Sequence, residues 1–302
     1  MRTVESTCES AELTSIRKPT LREFRWTGYV SLCICAILLC WLYAPTFKWW
    51  YSMWTMEESN YSHGILVPVI SGFLIWLNRA RLRQTVVEPY PLGYVLLVLS
   101  LLAMVTASWA GPGSLIGLTF PIVLGCLVLV SLGRSVLREL SFPIGYLFFM
   151  CVLPGYLLIK VSFRIQMLST TGATFLLRLM TLNAVQEGVF IHLPYTSVQI
   201  GAACSGFRLL VSLVAFTVLF IYLKEGPLWG KGALLVSVLP LSVILNSIRI
   251  AMIALVGHFM GDEAMHKFHD YSGYIMLILA FGLLSLLARL VKCRKFNSML
   301  LP

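Results

Sequence analysis

The stretch LSVILNSIRIAMIALVG, residues 241–257, indicates a membrane-spanning helix, because it is mainly apolar although it contains Asn246 and Arg249. It belongs to an apolar run near 232–256, and a helix needs about 20 such residues to cross a bilayer. The two polar residues are three positions apart, so they share one helix face. An arginine at the bilayer centre costs about 2.5–3.5 kcal/mol on insertion scales, so it indicates a functional site. The structural alternative is an arginine that ties helices together by binding carbonyl groups.

The composition of the whole chain indicates the same class. Of its 302 residues, 58% are hydrophobic and only 12% are charged. The mean hydropathy is +0.85, and together these values lie outside the range of soluble globular domains. A window of about 20 residues predicts eight transmembrane helices. They lie near 28–47, 63–78, 92–110, 114–132, 140–160, 205–223, 232–256 and 271–289. The predicted fold is an all-α polytopic membrane bundle with short loops at its outer face.

The distribution of basic residues predicts the orientation in the membrane. With the N-terminus in the cytoplasm, 16 of the 23 lysines and arginines fall in cytoplasmic segments and five in outer segments, as the positive-inside rule requires. This topology accounts for the net charge of +10, so we predict membrane lipids as partners and no nucleic acid. We expect a cytoplasmic tail over 1–26, a transmembrane domain over 27–291 and a second cytoplasmic tail over 292–302. The first 25 residues lack the apolar segment of a signal peptide.

The eight cysteines are sorted by this topology. Cys8 and Cys293 fall inside, five others fall within spans, and Cys204 alone falls at the outer surface. This distribution predicts no disulfide framework. The chain contains neither a Cys-x-x-Cys pair nor the Cys/His spacing of a zinc site, so we predict no metal and no cofactor.

The single outer cysteine lies in the turn GAACSGFRLL, residues 201–210, at the expected start of the sixth span. Unpaired backbone N–H groups and the positive end of the helix dipole favour an anion there, and a thiolate is such an anion. If Cys204 occupies the first helical turn, Arg208 lies on the same face about 6 Å away. Both effects lower the pKa of a thiol, so the pattern predicts a nucleophilic cysteine.

The segment before the last span reads GHFMGDEAMHKFHDYSGYIML, residues 257–277, and we expect it to begin as a loop. It contains His258, His266 and His269, and Asp270 follows the last of these. Histidine is the side chain best suited to moving protons near neutral pH. Because the topology places Cys204, Arg249 and His269 at one membrane face, the residues predict a Cys–His acyl-transfer site with a fixed cation for the oxyanion.

Two segments before Cys204 have patterns of their own. The stretch VQEGVFIHLPYTSVQIGAAC, 185–204, alternates apolar and polar residues on either side of LPYTS, which predicts a small β-hairpin that delivers Cys204 to the membrane surface. The stretch at 163–180 fits an amphipathic helix in the interface. Packing beneath the outer loops is the alternative for this helix.

Four ordered motifs carry a resemblance to a known family. GAACSGFR at 201–208, NSIR at 246–249, FHDYSG at 268–273 and NYSHGILVPVISGFLIW at 60–76 resemble the exosortases. The resemblance covers about residues 45–290 in the right order and spacing. Exosortases are bacterial inner-membrane proteins regarded as cysteine proteases and transpeptidases, and they process proteins that bear a C-terminal PEP-CTERM sorting signal. The resemblance therefore implies such substrate proteins as partners and a link to extracellular polysaccharide and biofilm assembly.

The resemblance also implies roles for individual residues. Cys204 becomes the nucleophile, Arg249 the stabiliser of the oxyanion or substrate carbonyl, and His269 the general base and acid. The choice of His269 over His266 depends on the HDxSG context. The residues expected to support the site or bind substrate are Arg208, Asn246, His63 and Asp270. For His63, a substrate-pocket role and a structural role are equally compatible with the sequence.

Two other classes of function are compatible with the membrane fold. A small transporter or lipid-flipping protein could use Arg249 to bind an anionic substrate, although such proteins have inverted repeats and broken helices that this sequence does not indicate. A non-catalytic assembly factor for polysaccharide export would need no nucleophile. Reactivity of Cys204 distinguishes both from an enzyme.

Overall fold

The computed structural model describes residues 20–21, 26–56, 59–111, 113–194, 197–201, 204–293 and 295–296. These residues are mainly helical, and several of the helices are apolar enough to cross a membrane, which confirms the predicted all-α polytopic fold. The predicted tail at 1–26 lies almost entirely outside the described residues. Most of the predicted tail at 292–302 lies outside them as well.

Long helices alternate with short connections along the chain, and the strands are short. The helices are α1 (Trp26–Leu42), α2 (Ala44–Thr55), α3 (Leu66–Leu77), α4 (Arg79–Gln84), α5 (Leu92–Trp109), α6 (Gly113–Ser131), α7 (Arg134–Tyr146), α8 (Gly155–Leu179), α9 (Phe207–Leu223), α10 (Leu228–Met260) and α11 (Asp262–Leu290). The strands are β1 (Val185–Glu187), β2 (Phe190–His192), β3 (Ser197–Gln199), β4 (Lys224–Glu225) and β5 (Lys295–Phe296). Single 3₁₀ turns, Ser62–Ile65 and Leu147–Met150, precede α3 and follow α7.

Fewer helices than predicted are long and apolar enough to span a membrane, among the residues that the structure describes. Four helices qualify, α5, α6, α10 and α11, and the count rises to six if each of two bent pairs is one span. The predicted span 28–47 is divided between α1 and α2, and the predicted span 140–160 is broken between α7 and α8. The predicted spans 63–78 and 205–223 correspond to shorter apolar helices. The predicted number of eight is therefore not confirmed.

The chain divides into two compact units, and the first contains residues 71–145 and the described part of 1–46. Its largest internal packing is between α5 and α6. Tyr43 and Thr119 share a buried hydrogen bond of 2.7 Å. Gly133, with φ +92°, allows the chain to pass against the backbone of Glu88, where any side chain would collide with the carbonyl group.

The second unit contains the described parts of 47–70 and 146–301 and carries every predicted site residue. Helix α10 is at its centre and packs against α8, α9 and α11. A sheet of β1, β2 and β3, in that order, lies beside α8. One buried cluster joins this sheet to α8 and α10, and Cys204 belongs to it. The nucleophile candidate is therefore placed between the sheet and the central helix.

The segment at 257–270 is helical, and the predicted loop is wrong. Helix α10 continues to Met260, α11 starts at Asp262, and Gly261 alone joins them. Gly261 has φ +84°, a backbone conformation that residues other than glycine rarely adopt. Asp262 and Glu263 lie in the first turn of α11, where negative charge interacts favourably with the helix dipole. The two helices therefore form a hairpin with a one-residue connection.

The predicted β-hairpin is present, but the sheet has a third strand. Strands β2 and β3 pair on either side of the LPYTS segment, as predicted, and β1 pairs with β2 through the turn at Gly188. The segment predicted as an interfacial helix at 163–180 belongs to α8. One face of that helix is buried and packs against α10, as the packing alternative requires.

Candidate active site

Cys204 lies in a turn between β3 and α9. Its backbone N–H donates to the carbonyl oxygen of Gly201 at 3.0 Å, and its side chain is only 7% exposed. Gly206, with φ +78°, caps α9, which begins at Phe207. The cysteine therefore precedes the helix by three residues and is not in its first turn, contrary to the expectation from the sequence. Of Cys204 and Arg208, only Arg208 lies in the first turn of α9.

Asn246 of α10 fixes the backbone of this turn. Its Nδ2 donates to the carbonyl oxygen of Cys204 at 3.0 Å, and the side chain is 1% exposed. A Cβ atom on Gly206 would lie 2.8 Å from the same Nδ2 atom. The residue before α9 must therefore be glycine both for its positive φ and for the close approach of Asn246.

His269 contacts the thiol. Its Nε2 atom lies 2.7 Å from Sγ of Cys204, and its Nδ1 atom lies 3.4 Å from Oδ1 of the exposed Asp270. His269 is in the second turn of α11, and His266 lies one turn earlier with its side chain exposed. His258 is in the last turn of α10. Of the three histidines in this segment, the structure thus brings His269 to Cys204.

Arg249 connects α10 to the segment of α11 that carries His269. Its Nε donates to Oγ of Ser272 at 2.9 Å, and its Nη2 donates to the carbonyl oxygen of His269 at 3.2 Å. Ser272 is fully buried and donates to the same carbonyl oxygen at 3.0 Å. Arg249 and Ser272 lie 12 and 11 residues from Gly261, so the helical hairpin brings them to the same level.

The charges around the thiol are mainly positive. The guanidinium group of Arg249 interacts electrostatically with Cys204, Arg208 and Asp270. Arg208 is half-buried, and among the described residues its buried Nε atom has no hydrogen-bond partner. The guanidinium group of Arg249 therefore favours the anionic form of a group placed near Cys204.

His63 contacts α9, the helix that follows the turn with Cys204. Its Nδ1 atom lies 3.4 Å from Oγ of Ser212, and its ring lies beside that of Tyr61. Tyr61 in turn packs edge-on against Phe207, and its hydroxyl accepts a hydrogen bond from the backbone N–H of Leu153. Burial raises the pKa of Tyr61. The NYSHG motif therefore supports the start of α9.

Two polar residues in this region were not predicted from the sequence. Ser272 is in the FHDYSG motif, three residues after His269, and this helical spacing was the signal that could have linked the two. Gln166 of α8 is buried and donates through Nε2 to the carbonyl oxygen of Ile200. Within the described part of the chain, no three His, Cys, Asp or Glu side chains are arranged to hold a metal ion.

The chain matches a known family over most of its length. The model of the family described as transmembrane exosortase matches residues 49–286. No significant match was found among curated proteins or solved structures. The matched range contains Cys204, Asn246, Arg249 and the FHDYSG motif.

Proposed function

The chain belongs to the transmembrane exosortase family, and on this premise we propose that it is a membrane cysteine peptidase or transpeptidase that acts through a Cys204 acyl-enzyme. Family membership supports a membrane protease or transpeptidase role in general. The observation that carries the specific proposal is the 2.7 Å distance between Sγ of Cys204 and Nε2 of His269. A thiol within hydrogen-bond reach of an imidazole is the arrangement required for nucleophilic catalysis.

The proposed reaction starts with proton transfer from the Cys204 thiol to Nε2 of His269. Asp270, at Nδ1 of the ring, favours the tautomer that leaves Nε2 free to accept this proton. The thiolate then attacks the scissile carbonyl carbon, and the carbonyl oxygen becomes an oxyanion. His269 returns the proton to the leaving amine, the C–N bond breaks, and the N-terminal part of the substrate remains as a thioester on Cys204.

Arg249 has two proposed tasks in this reaction. It uses two of its five N–H groups to hold Ser272 and the backbone of His269. The remaining N–H groups are available to the oxyanion, and Arg208 adds positive potential beside them. A transporter that bound an anion through Arg249 would have no use for a thiol held against an imidazole, so the contact between Cys204 and His269 favours an enzyme.

The proposed substrates are exported proteins whose C-terminal tail carries a PEP-CTERM-type sorting signal. The proposed location is the bacterial inner membrane, with both termini in the cytoplasm and the site at the periplasmic face, because basic residues concentrate in alternate segments. The acyl-enzyme would pass its acyl group to an acceptor amine or to water. By this proposal the protein contributes to extracellular polysaccharide and biofilm assembly.

Co-expression with a reporter protein that carries a PEP-CTERM signal tests the proposal. We expect Cys204→Ala to abolish cleavage of the reporter and to leave the protein in the membrane. Cys151→Ala is the matched control, because Cys151 is also buried in the second unit and has no place in the proposed reaction. Cleavage of the reporter by Cys204→Ala at the normal rate would refute the proposal.

A further inference from the structure

Strand β3 has one edge that is paired and one that points away from the sheet. In the pairing of β2 with β3, Ile191 is opposite Val198, and the backbone N–H of Ile200 donates to the carbonyl oxygen of Val189. Hydrogen-bonded pairs alternate along an antiparallel ladder. The N–H and C=O groups of Val198 therefore point to β2, and those of Ser197 and Gln199 point to the opposite side.

This outward edge has unused hydrogen-bonding groups. Within the described residues, the N–H and C=O groups of Ser197 and Gln199 have no backbone partner. The side chains of both residues are exposed, whereas those of Val198 and Ile200 are buried in the cluster that contains Cys204. Buried side chains on one face of the sheet therefore fix the strand in position, whereas the backbone groups at its outer edge are open.

The same strand leads directly into the turn that carries Cys204, which is the proposed nucleophile turn. Gln166 of α8 holds the carbonyl oxygen of Ile200, and the N–H of Cys204 donates to the carbonyl oxygen of Gly201. Cys204 follows Gln199 by only five positions in the chain. A polypeptide paired with this edge would therefore extend toward the thiol.

We propose that the free edge of β3 binds the substrate backbone, with an extended segment next to the scissile bond added as a fourth strand. The inference rests on the proposed function, because it assumes a polypeptide substrate for Cys204. Backbone pairing at a sheet edge provides affinity with little dependence on sequence, and alternate side chains provide specificity. Ser197 and Gln199 are the residues whose side chains would contact the added strand.

The opposite edge of the sheet supplies a matched control. The backbone N–H and C=O groups of Phe190 and His192 in β2 point to β1. Their partners, Glu187 and Val185, therefore point their own backbone groups to β2. The backbone groups of Gln186 therefore point away from the sheet on the β1 side. Gln186→Pro and Gln199→Pro are the same substitution at two outer edges, and proline is tolerated where the lost N–H does not serve the ladder.

The experiment compares cleavage of the PEP-CTERM reporter by these two variants. We expect Gln199→Pro to raise KM at least tenfold and Gln186→Pro to leave it near the normal value. The rate of Cys204 alkylation by iodoacetamide, measured in both, reports whether the nucleophile turn is intact. A normal KM for Gln199→Pro, with Cys204→Ala inactive, would refute the strand proposal alone. Activity of Cys204→Ala would refute the proposed function first.

If either proline variant fails to fold, disulfide cross-linking tests substrate binding at the edge of β3 without any turnover. In a Cys204→Ala background, Gln199→Cys and Gln186→Cys are each tested against reporters with a single cysteine near the scissile bond. We expect a disulfide with Gln199→Cys, strongest at alternate reporter positions, and none above the background level with Gln186→Cys. Equal cross-linking at both edges, or cross-linking only at Gln186→Cys, would overturn the proposal.

Discussion

The Sγ atom of Cys204 lies 2.7 Å from Nε2 of His269, although 65 residues separate the two in the chain. The contact depends on two supports. Asn246 holds the carbonyl group of Cys204, and Arg249 holds the carbonyl group of His269. Both supports come from α10 and are three residues apart. One helix therefore positions the proposed nucleophile and its proposed base together.

The thiol–imidazole pair makes a prediction for His269→Ala. An imidazole that accepts the thiol proton stabilises the thiolate, so its loss should move the pH midpoint of Cys204 alkylation upward, toward the value of about 8.5 for an ordinary thiol. The measurement is the rate of iodoacetamide alkylation in detergent as a function of pH. His266→Ala, one turn away and exposed, is the control and should leave the profile unchanged. A shift in His266→Ala with none in His269→Ala would assign the base to His266.

Arg249→Lys should reduce reporter cleavage strongly, although it keeps the positive charge. A lysine ammonium group cannot hold Ser272 and the His269 carbonyl in the planar geometry of a guanidinium and also offer donors to an oxyanion. Loss of one oxyanion donor costs about 10²–10³ in rate, and we expect a loss of at least that size. Single-turnover cleavage rates measure it. Normal turnover by Arg249→Lys would mean that only the charge matters.

Gly206→Ala should inactivate the protein because it disturbs the turn that carries Cys204, the proposed nucleophile. The added Cβ would lie 2.8 Å from Nδ2 of Asn246, at a residue with φ +78°. Displacement of Asn246 would release the carbonyl group of Cys204. Gly72→Ala is the control, because the added Cβ would have no atom within 4 Å and alanine favours a helix over glycine by about 0.5–1 kcal/mol. Thermal unfolding and reporter cleavage are measured for both, and equal activity of the two variants would contradict the account.

The orientation makes a prediction for the two ends of α11. The helix has 29 residues and therefore extends about 43 Å at 1.5 Å per residue, enough to cross a bilayer. In a Cys204→Ala background, we expect a membrane-impermeant maleimide to label Lys267→Cys in intact cells and to leave Lys292→Cys unlabelled until the membrane is opened. Both positions are exposed. Labelling of Lys292→Cys alone in intact cells would reverse the orientation and place the site at the cytoplasmic face.

Hydropathy predicted the helical membrane fold, because the long apolar runs leave few alternatives. It failed where helices extend past their apolar part. The segment at 257–270 is polar enough to be predicted as a loop, yet Asp262 and Glu263 favour a helix start there and Gly261 permits an abrupt reversal. Strand β1 was missed because its residues were assigned to the single strand predicted before LPYTS, which the turn at Gly188 divides into β1 and β2.

The sequence predicted that the candidate site residues lie together, but it did not predict how they contact one another. Topology and motifs brought Cys204, Arg249 and His269 to one face, and the structure places Cys204 and Arg249 each in contact with His269. The partners of Arg249 could not be derived, because they depend on the register of α10 against α11, which the one-residue turn at Gly261 sets. Periodicity alone contains no information on that register.

Detection of the acyl-enzyme tests the central proposal most directly. Purified protein is mixed with a peptide that carries the PEP-CTERM signal, quenched in acid within one turnover, and analysed by intact-mass and peptide mass spectrometry. We expect a thioester of the N-terminal peptide fragment on Cys204, removable by hydroxylamine and absent in Cys204→Ala. Cleaved peptide without any adduct on Cys204, or an adduct on another residue, would contradict it.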